Sequence, residues 1–176
     1  MNKYLFTSDR LGFRPWLDSD IEELSKINLD ENVMKYFPTR YSVEDSKQFI
    51  FGQQMNMSEN GFCYFAVEKL ENKEFIGFIG LSEQLWESDF TPAIDIGWRL
   101  KFSAHGFGYA TEGAIRCLEY GFKDLNLKEI ISTIKTFLDP IDEEVKDKDI
   151  VFIIPCDERA IKRHLQKTLN YSQDFN

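Results

Sequence analysis

Hydrophobic and polar residues alternate along residues 93–100, AIDIGWRL. The isoleucines, the tryptophan and the leucine fall on one face, and Asp95 and Arg99 fall on the other, which is the period-two pattern of a half-buried β-strand. From Ala110 the apolar residues recur at steps of three and four, as they do along one stripe of an α-helix. That stripe would be formed by Ala114, Leu118, Phe122 and Leu125. The chain is organised around this strand and the helix that follows it.

The period-two pattern also predicts the other strands. Residues 10–16 have the pattern of a short first strand that ends near a proline. Residues 62–68 and 74–81 are two strand patterns joined by a short polar turn, which predicts an antiparallel hairpin. The β-branched run 129–134 predicts a fifth strand after the central helix.

Two helices are predicted between the first strand and the hairpin. The sequence Ser-Asp-Ile-Glu has the form of a capping box and opens the first helix at Ser19. The hydroxyl of Ser42 can cap the second helix, which should carry Phe49, Ile50 and Gln53 inward. Residues 34–40, which include a proline, form the loop between them.

Two glycines, Gly106 and Gly108, lie between the central strand and its helix. The first amide groups of a helix lack partners, so backbone N–H groups could wrap a phosphate here, with help from the helix dipole. An ordinary turn would have the same Gly-x-Gly sequence. A dinucleotide-binding fold is disfavoured for two reasons. Thr111 occupies the position of that fold's third glycine. The fold also needs an acidic residue at the end of a strand, whereas Glu129 is at the start of one. The phosphate cradle is therefore a hypothesis at this point.

Length and composition indicate one globular domain, 1–176. The 176 residues can bury a single core, and 43% of them are hydrophobic and 15% aromatic. The 30 acidic residues against 21 basic ones leave a formal net charge of −9, which repels nucleic-acid phosphate and favours basic partners, including amines. The same acids could instead serve only to keep the protein in solution.

Neither a metal site nor a membrane segment is expected. Cys63, Cys117 and Cys156 are odd in number and widely spaced, which suits a reducing compartment better than a disulfide framework. His105 and His164 are not at ligand spacing from a cysteine, so no zinc site is predicted. No apolar run approaches the roughly 18 residues of a membrane span, and the N-terminal residues lack the apolar segment of a signal peptide. We therefore expect a cytoplasmic protein.

A longer string around the two glycines is much more specific than the turn. Residues 95–100, DIGWRL, and residues 106–114, GFGYATEGA, resemble the acetyl-CoA-binding core of the GNAT superfamily of N-acetyltransferases. They look closest to the branch that acetylates the N-termini of ribosomal proteins. The resemblance implies an α+β fold in three layers, α/β/α, with a mixed, mostly antiparallel sheet and helices on both faces. It also implies a splay between the strands at 93–100 and 129–134.

The resemblance implies acetyl-CoA as the cofactor. In the family the pyrophosphate loop follows the pattern Gln/Arg-x-x-Gly-x-Gly/Ala, which falls here on His105, Gly108 and Ala110, with histidine in place of Gln or Arg. The residues that would contact the cofactor are Ile96, Trp98, Leu100, His105, Gly106, Phe107, Gly108, Tyr109, Ala110 and Thr111.

Acetyl transfer from a thioester to an amine needs a neutral nucleophile, a donor for the developing oxyanion and a route for protons. An amine is mostly protonated at neutral pH, and the resemblance points to Asp95 as the carboxylate that accepts its proton, through a water because aspartate is short. A structural ion pair between Asp95 and Arg99 is the alternative. The oxyanion donor would be a backbone N–H near residues 96–98. Tyr109 and Tyr171 are the candidates for protonating the leaving thiolate.

The first two helices and their connecting loop form one wall of the acceptor groove in the resembled family. Met34, Tyr36 and Phe37 could therefore touch the substrate. They could instead pack under the loop as a small separate core.

The resemblance breaks after Ile134, so the C-terminal third is atypical. The family has Asn-x-x-Ser and a helix there, whereas this chain continues Lys-Thr-Phe-Leu-Asp-Pro. In one explanation the usual helix is missing, 137–140 and 149–154 form the terminal hairpin, and 157–169 is an added helix. In the other, 135–148 is an insertion and the later helix is a displaced version of the usual one. We favour the first explanation.

The resemblance implies acetyl-CoA-dependent acetylation of a primary amine, which is either a small molecule or a protein N-terminus. The alternative is a non-catalytic CoA-binding or scaffolding protein of the same fold, which the atypical C-terminal third motivates. No nucleic-acid or membrane partner is expected. A homodimer is left open by apolar residues such as Trp86.

Overall fold

A mixed β-sheet lies at the centre of the chain. The structure is a computed structural model that describes residues 3–35, 37, 41–85, 92–135 and 149–155, with the backbone alone for 132–135 and 149–155. Within these residues the sheet has seven strands, which follow one another across it in sequence order. They are β1 (Phe6–Thr7), β2 (Leu11–Arg14), β3 (Tyr64–Lys69), β4 (Phe75–Gln84), β5 (Ala93–Leu100), β6 (Glu129–Lys135) and β7 (Asp149–Pro155).

Strand pairing is antiparallel throughout this sheet except between β5 and β6, which run parallel. β4 pairs with β5 along the whole length of β5. In contrast, β5 and β6 are paired at one position of the described chain, Asp95 opposite Ile131. The two strands are therefore parted beyond Asp95, and the predicted splay is confirmed.

Helices cover both faces of the sheet. None of those in the described part of the chain is long and apolar enough to cross a lipid bilayer. The third helix is the crossover that connects the parallel strands β5 and β6. The helices are α1 (Asp20–Leu29), α2 (Val43–Asn60) and α3 (Tyr109–Glu119), which continues as a π-helical turn over Tyr120–Asp124.

Side-chain contacts assign each helix to its face. Phe49 of α2 packs on Tyr64 and Phe78, with ring centroids 6.3 and 4.9 Å apart. Gly113 of α3 lies against Ile79, the neighbour of Phe78 whose side chain points to the opposite face. The sheet is thus the middle layer of an α/β/α arrangement, which confirms the predicted fold class. The largest fully buried side chains are Phe13, Phe65, Leu11, Leu24, Ile50, Ile76, Ile79, Leu81, Leu118, Ile130 and Ile131.

Most elements lie where the sequence predicts them. β5 has the predicted bounds, and β3 and β4 form the predicted antiparallel hairpin. The N-terminus of α2 is closed by a reciprocal pair: the Ser42 hydroxyl accepts the Asp45 backbone N–H at 3.1 Å, and the Asp45 carboxylate accepts the Ser42 N–H at 2.7 Å. The predicted cap at Ser42 is therefore confirmed. The two-residue strand β1 was not predicted, because so short a segment carries no periodicity.

The predicted capping box at Ser19 is wrong. Ser19 already has helical backbone angles, and its hydroxyl makes no capping hydrogen bond. The neighbouring Asp20 carboxylate instead accepts the Leu17 N–H at 2.9 Å and two guanidinium hydrogen bonds from Arg14 at 2.6 and 2.8 Å. A buried contact with β2 therefore overrides the local capping pattern.

The polar face of β5 is partly covered: Asp95 is buried, whereas Ala93, Gly97 and Arg99 are partly exposed, in agreement with the predicted half-buried strand. Asp95 keeps only 6% of its surface accessible. The reason is that α1 and α2 lie over this face while α3 lies over the other. Alternation predicted which side chains share a face, but it carries no information on whether the second face is covered.

The C-terminal strand pairs with β6. The antiparallel ladder runs from Glu129 opposite Pro155 to Lys135 opposite Asp149, and it confirms the strand predicted at 149–154. The other features predicted for the C-terminal third, at 137–140 and 157–169, lie outside the described residues. The same is true of Tyr36, Trp86, Cys156, His164 and Tyr171.

Candidate functional site

The turn between β5 and α3 has the backbone form of an anion-binding loop. Gly106 and Gly108 have φ angles of 80° and 77°, in the left-handed region that favours glycine. Gly108 is the N-cap of α3, and no side chain caps the helix there. The first helical hydrogen bond runs from the Glu112 N–H to the Gly108 carbonyl at 3.0 Å, so the N–H groups of 109–111 have no acceptor within the described chain. Bare amides at a helix N-terminus suit an anionic group such as a diphosphate.

A guanidinium from the turn between β1 and β2 anchors this loop. Arg10 Nη2 donates to the Phe107 carbonyl at 3.1 Å, and Arg10 Nε donates to the Glu112 carboxylate at 2.6 Å. The same guanidinium lies over the Tyr109 ring, 4.5 Å from its centroid. A Cβ placed on Gly108 would come within 3.8 Å of Arg10 Nη2. Arg10 therefore brings a positive charge next to the bare amides.

Glu112 joins the loop to the N-terminal hairpin. Its carboxylate also accepts the Ser8 hydroxyl at 2.6 Å and the Arg10 backbone N–H at 2.8 Å. Burial raises the pKa of Glu112, but the hydrogen bonds from Ser8 and Arg10 together lower it by more, so the net pKa lies below its usual value. Because this charge is matched by Arg10, it does not oppose an anion at the same helix end.

His105 is turned back towards the strand. Its Nε2 lies 3.0 Å from the Leu100 carbonyl oxygen. A carbonyl can only accept, so Nε2 carries the proton and donates it. The ring also packs edge-on against Phe102, with centroids 5.5 Å apart. His105 thus stabilises the turn from within, and the cationic side chain at the loop is Arg10.

The apolar residues predicted to contact a cofactor lie on the α3 face of β5. Ile96 and Leu100 keep 3% and 4% of their surface accessible, so their side chains belong to the core and only their backbone borders the parted edge. Trp98 is partly exposed and packs against the same core. The loop residues follow directly after β5. The structure thus brings the predicted cofactor residues to one end of β5, beside the parted strands.

Asp95 belongs to a buried hydrogen-bond triangle. Its Oδ1 accepts the Tyr64 hydroxyl and the Gln84 side-chain amide, each at 2.7 Å, and the Gln84 amide also donates to the Tyr64 hydroxyl oxygen at 3.1 Å. Burial raises the pKa of Tyr64 well above its usual value, and the charge of Asp95 adds to that rise. Tyr64 is therefore a neutral hydrogen-bond donor. The sequence singled out Asp95 but not its two partners, which come from other strands.

Arg99 lies on the same face of β5 in an aromatic cage. Its guanidinium carbon is 4.4, 4.8 and 5.6 Å from the ring centroids of Phe37, Tyr41 and Phe78. Nη1 donates to the Asn28 side-chain oxygen at 2.6 Å. Nε is buried and has no acceptor within the described residues. The sequence named Arg99 only as a partner for Asp95.

The contacts decide between the alternatives left open for the Asp95–Arg99 ion pair and for the packing of Met34. The ion pair between Asp95 and Arg99 is not formed in the described chain, since Asp95 contacts strands β3 and β4 whereas Arg99 contacts the helical layer. Met34 is 5% exposed and packs in a small separate core, which was the alternative to a substrate contact. Phe37 is 37% exposed and lies on the Arg99 guanidinium.

Tyr109 lies on the hairpin side of the loop. Its ring is below the Arg10 guanidinium, 5.6 Å from the Lys69 ammonium and 5.9 Å from the Phe107 ring. Lys69 ends β3, two strands away from β5 in the sheet. This position favours a role of Tyr109 in the loop over one in proton transfer near Asp95.

The described cysteines have the properties of core residues. Cys63 and Cys117 are both fully buried. Burial raises the pKa of the Cys63 thiol to about 12 and that of the Cys117 thiol well above its usual value. Neither thiol is therefore suited to nucleophilic catalysis, which requires the thiolate. Within the described residues no three His, Cys, Asp or Glu side chains are grouped so that they could hold a metal ion.

The family follows from comparison with known proteins. Residues 10–137, which are most of the chain, match the family model described as the acetyltransferase (GNAT) domain. This chain belongs to the GNAT acetyltransferase family. The resemblance stated from the sequence is thereby confirmed.

Similar proteins agree with this assignment. The chain is 33% identical over 128 residues to the uncharacterised N-acetyltransferase YnaD of Bacillus subtilis strain 168, covering 72% of this chain and 71% of YnaD. A GNAT-family acetyltransferase structure from Bacillus anthracis matches with a TM-score of 0.60 and 29% identity, covering 73% of this chain and 72% of that one. A ribosomal-protein-S5-alanine acetyltransferase from Vibrio fischeri shares the fold, with a TM-score of 0.58 and 20% identity over 73% and 72% of the two chains.

GNAT acetyltransferases use acetyl-CoA, which confirms the predicted cofactor. The site of this chain fits that molecule. The bare amides of 109–111 and the Arg10 guanidinium suit the charge of its diphosphate. The parted strands β5 and β6 leave an opening beside the loop for its extended arm.

Proposed function

We propose that this GNAT protein is an N-acetyltransferase that transfers the acetyl group of acetyl-CoA to a primary amine, either a small molecule or a protein N-terminus. One arrangement carries the proposal: the uncapped N-terminus of α3 follows the Leu100 end of β5, where β5 and β6 part, and the buried Asp95 lies on that same strand. An anion-binding loop, an opening for a thioester and a carboxylate for proton transfer are the parts that the reaction needs.

The loop is proposed to hold the cofactor mainly through its backbone. The N–H groups of 109–111 would donate to the diphosphate, and Arg10, which is paired with Glu112, would offer further N–H donors at one side. When bound, acetyl-CoA supplies an acetyl group activated as a thioester. Because the loop is fixed by His105 and Arg10 before any ligand arrives, its donors are preorganised for this contact.

Asp95 is proposed as the proton acceptor. An ammonium group must lose a proton before its nitrogen can attack a carbonyl carbon. The hydroxyl of Tyr64 and the amide of Gln84 both donate to Asp95 Oδ1, which holds the carboxylate in one orientation. Since the side chain is short and buried, the proton would reach it through a water.

The backbone of β5 is proposed to stabilise the oxyanion. Residues 96–98 are not paired with β6 in the described chain, so a backbone N–H that faces the gap can donate to developing negative charge. The proton for the leaving thiolate needs a separate donor. Of the two tyrosines considered, Tyr171 is the candidate that remains, because the Tyr109 ring lies between Arg10 and Lys69.

Release of the CoA thiol tests this proposal. The purified protein is mixed with acetyl-CoA and a panel of amines and peptides with free N-termini, and we expect thiol release with at least one acceptor. The alternative, a non-catalytic CoA-binding or scaffolding protein, predicts thermal stabilisation by acetyl-CoA without thiol release on any acceptor. That result would reject the enzymatic proposal while leaving the binding loop in place.

A further inference from the structure

The guanidinium of Arg99 is a largely buried positive charge that no carboxylate of the described chain matches. Arg14, which is almost completely buried on the same face of the sheet, shows the usual arrangement, since it forms ion pairs with Asp20 and Glu68, each at 2.6 Å. Arg99 has three aromatic rings and the neutral side chain of Asn28 instead. A buried cation in such surroundings is normally paired.

Its hydrogen bonding is also incomplete. Nη1 is used by Asn28, and Nε is buried without an acceptor in the described residues. Burial lowers the pKa of Arg99, because removing the guanidinium from water destabilises its charged form, and the Tyr41 hydroxyl only partly offsets this. Among the described residues, no negatively charged acceptor is offered to this guanidinium.

The position of Arg99 connects it to the acceptor. Arg99 and Asp95 share one face of β5, four residues or about 13 Å apart along the strand. Both lie on the strand that borders the opening towards β6. The cage is reachable from outside, since Phe37 and Tyr41 at its edge are each 37% exposed. A ligand whose amine is directed to Asp95 can therefore extend a second group towards Arg99.

We propose that Arg99 recognises an anionic group of the acceptor, so that the preferred substrates are primary amines that also carry a carboxylate. This inference rests on the proposed N-acetyltransferase function and adds the substrate class to it. A carboxylate supplies both the missing charge and a strong acceptor for a guanidinium N–H. A polyamine would instead bring positive charge to a cation that is already poorly solvated.

Matched acceptors test the proposal. Each amino acid in a series from glycine to 6-aminohexanoate is compared with its neutral carboxamide, and phosphoethanolamine is compared with ethanolamine to separate a carboxylate from a phosphate. Spermidine represents the cationic class. For the wild type we expect kcat/KM to be roughly 10- to 100-fold higher for the best acid than for its amide, mainly through KM, as for one charge-assisted hydrogen bond.

Three substitutions at the same position sharpen the test. Arg99→Gln should remove the preference for the acid, Arg99→Lys should keep part of it, and Arg99→Glu should shift the preference towards the amide and spermidine. Arg116→Gln is the matched control. Its guanidinium lies 4.8 Å from the Phe6 ring centroid and donates to the Thr7 carbonyl at 2.9 Å, so it is also an arginine on an aromatic ring, but on α3. This control should leave the preference unchanged.

The outcomes separate the inference from the function on which it rests. Equal use of acids and amides, or spermidine as the best acceptor, overturns the inference and leaves the N-acetyltransferase in place. A preference for phosphoethanolamine over every carboxylate also overturns it. If acetyl-CoA binds but no acceptor releases thiol, the proposed function fails, and calorimetric titration of the same acids into the CoA complex then decides. If the acids bind and Arg99→Gln weakens that binding at least tenfold, recognition of the carboxylate by Arg99 is supported. If the acids do not bind, the inference is overturned.

Discussion

Two arginines on one face of the sheet have opposite surroundings. Arg14 lies between the carboxylates of Asp20 and Glu68, and although burial lowers its pKa, the hydrogen bonds and charges of these partners raise it by more. Arg99 has no such partner in the described chain, and burial lowers its pKa. A buried charge whose partners come from the chain is satisfied within the fold, and removing one partner leaves the others uncompensated. A buried charge that lacks them points to a ligand.

Two helix N-termini show the same contrast. The first amides of α2 meet the reciprocal pair Ser42 and Asp45, whereas those of α3 meet no side chain and follow two left-handed glycines. The N-terminus of α2 is thus closed by its own sequence. The uncapped end of α3 follows β5 in the chain, and Arg99 lies on β5, so both proposed binding groups involve that strand.

The largest expected effect comes from breaking the closed network at Arg14. Arg14→Met leaves the buried carboxylates of Asp20 and Glu68 without their guanidinium, which costs about 3–5 kcal/mol of unfolding free energy. Urea denaturation measures the loss. Arg99→Gln is the counterpart, and because it removes a partly buried charge that no carboxylate of the described residues matches, it should lower stability much less. Equal losses for the two variants would contradict the contrast between them.

The pH dependence of stability gives a second readout of this network. Burial raises the pKa of Glu68, but the hydrogen bonds from Lys3, Arg14 and Tyr4 together lower it by more. The net pKa of Glu68 is therefore below its usual value. The stability that this group contributes is complete above its unfolded pKa of about 4.3 and is lost as the pH falls through the lower folded value. The acid-induced loss should be smaller in Arg14→Met, where one of these donors is missing.

The next effect should appear on binding rather than stability, at the open end of α3. Gly108→Asp places a negative charge beside the bare amides and should weaken acetyl-CoA binding more than 100-fold. A ligand at about 100 times its Kd stabilises a protein by roughly 2.7 kcal/mol, so the thermal shift seen with the wild type should disappear.

Gly108→Asn is the matched control for this loop, because asparagine has nearly the same shape, no charge, and tolerates a φ near 77° better than most residues. We expect it to keep most of the binding. Full binding by Gly108→Asp would refute the loop assignment, and equal losses in both variants would mean that backbone strain, not charge, is responsible.

A smaller effect, confined to turnover, is expected at Asp95. Asp95→Asn keeps a similar shape but cannot accept the proton of an ammonium group, so kcat should fall by roughly 100-fold while acetyl-CoA binding persists. The variant is compared with Tyr64→Phe, which removes one donor to the carboxylate and should lower kcat much less. Unchanged turnover of Asp95→Asn across the pH range would remove Asp95 as the proton acceptor.

Local signals in the sequence were enough for the elements that hold the site. The alternation of β5, the cap at Ser42 and the glycines before α3 each depend on neighbouring residues, and each lies as predicted. The candidate Asp95 followed from a family motif around the same strand. Where a local signal competed with a distant contact, as at Ser19, the distant contact prevailed.

The partners in the site could not be predicted in the same way. Tyr64 is 31 residues from Asp95 in the chain, and Arg10 is 102 residues from Glu112. Neither pair leaves a periodic pattern, because each exists only once strands and helices from separate parts of the chain are packed together. The surroundings of Arg99 could not be predicted for the same reason. They depend on tertiary packing, which places aromatic rings and Asn28 beside the guanidinium and no carboxylate of the described residues.

The smallest predicted effect tests one of these long-range partners. Arg10→Ala removes the guanidinium beside the bare amides and should weaken acetyl-CoA binding about tenfold, in keeping with one charge-assisted hydrogen bond. Acetyl-pantetheine, which lacks the diphosphate, should be used equally well by the variant and the wild type. Arg116→Ala is the control, because Arg116 joins the same helix to the same hairpin through the Thr7 carbonyl but lies away from the loop. If both variants lose binding alike, or if acetyl-pantetheine suffers as much as acetyl-CoA, Arg10 acts only as a tether for α3 and not through the diphosphate.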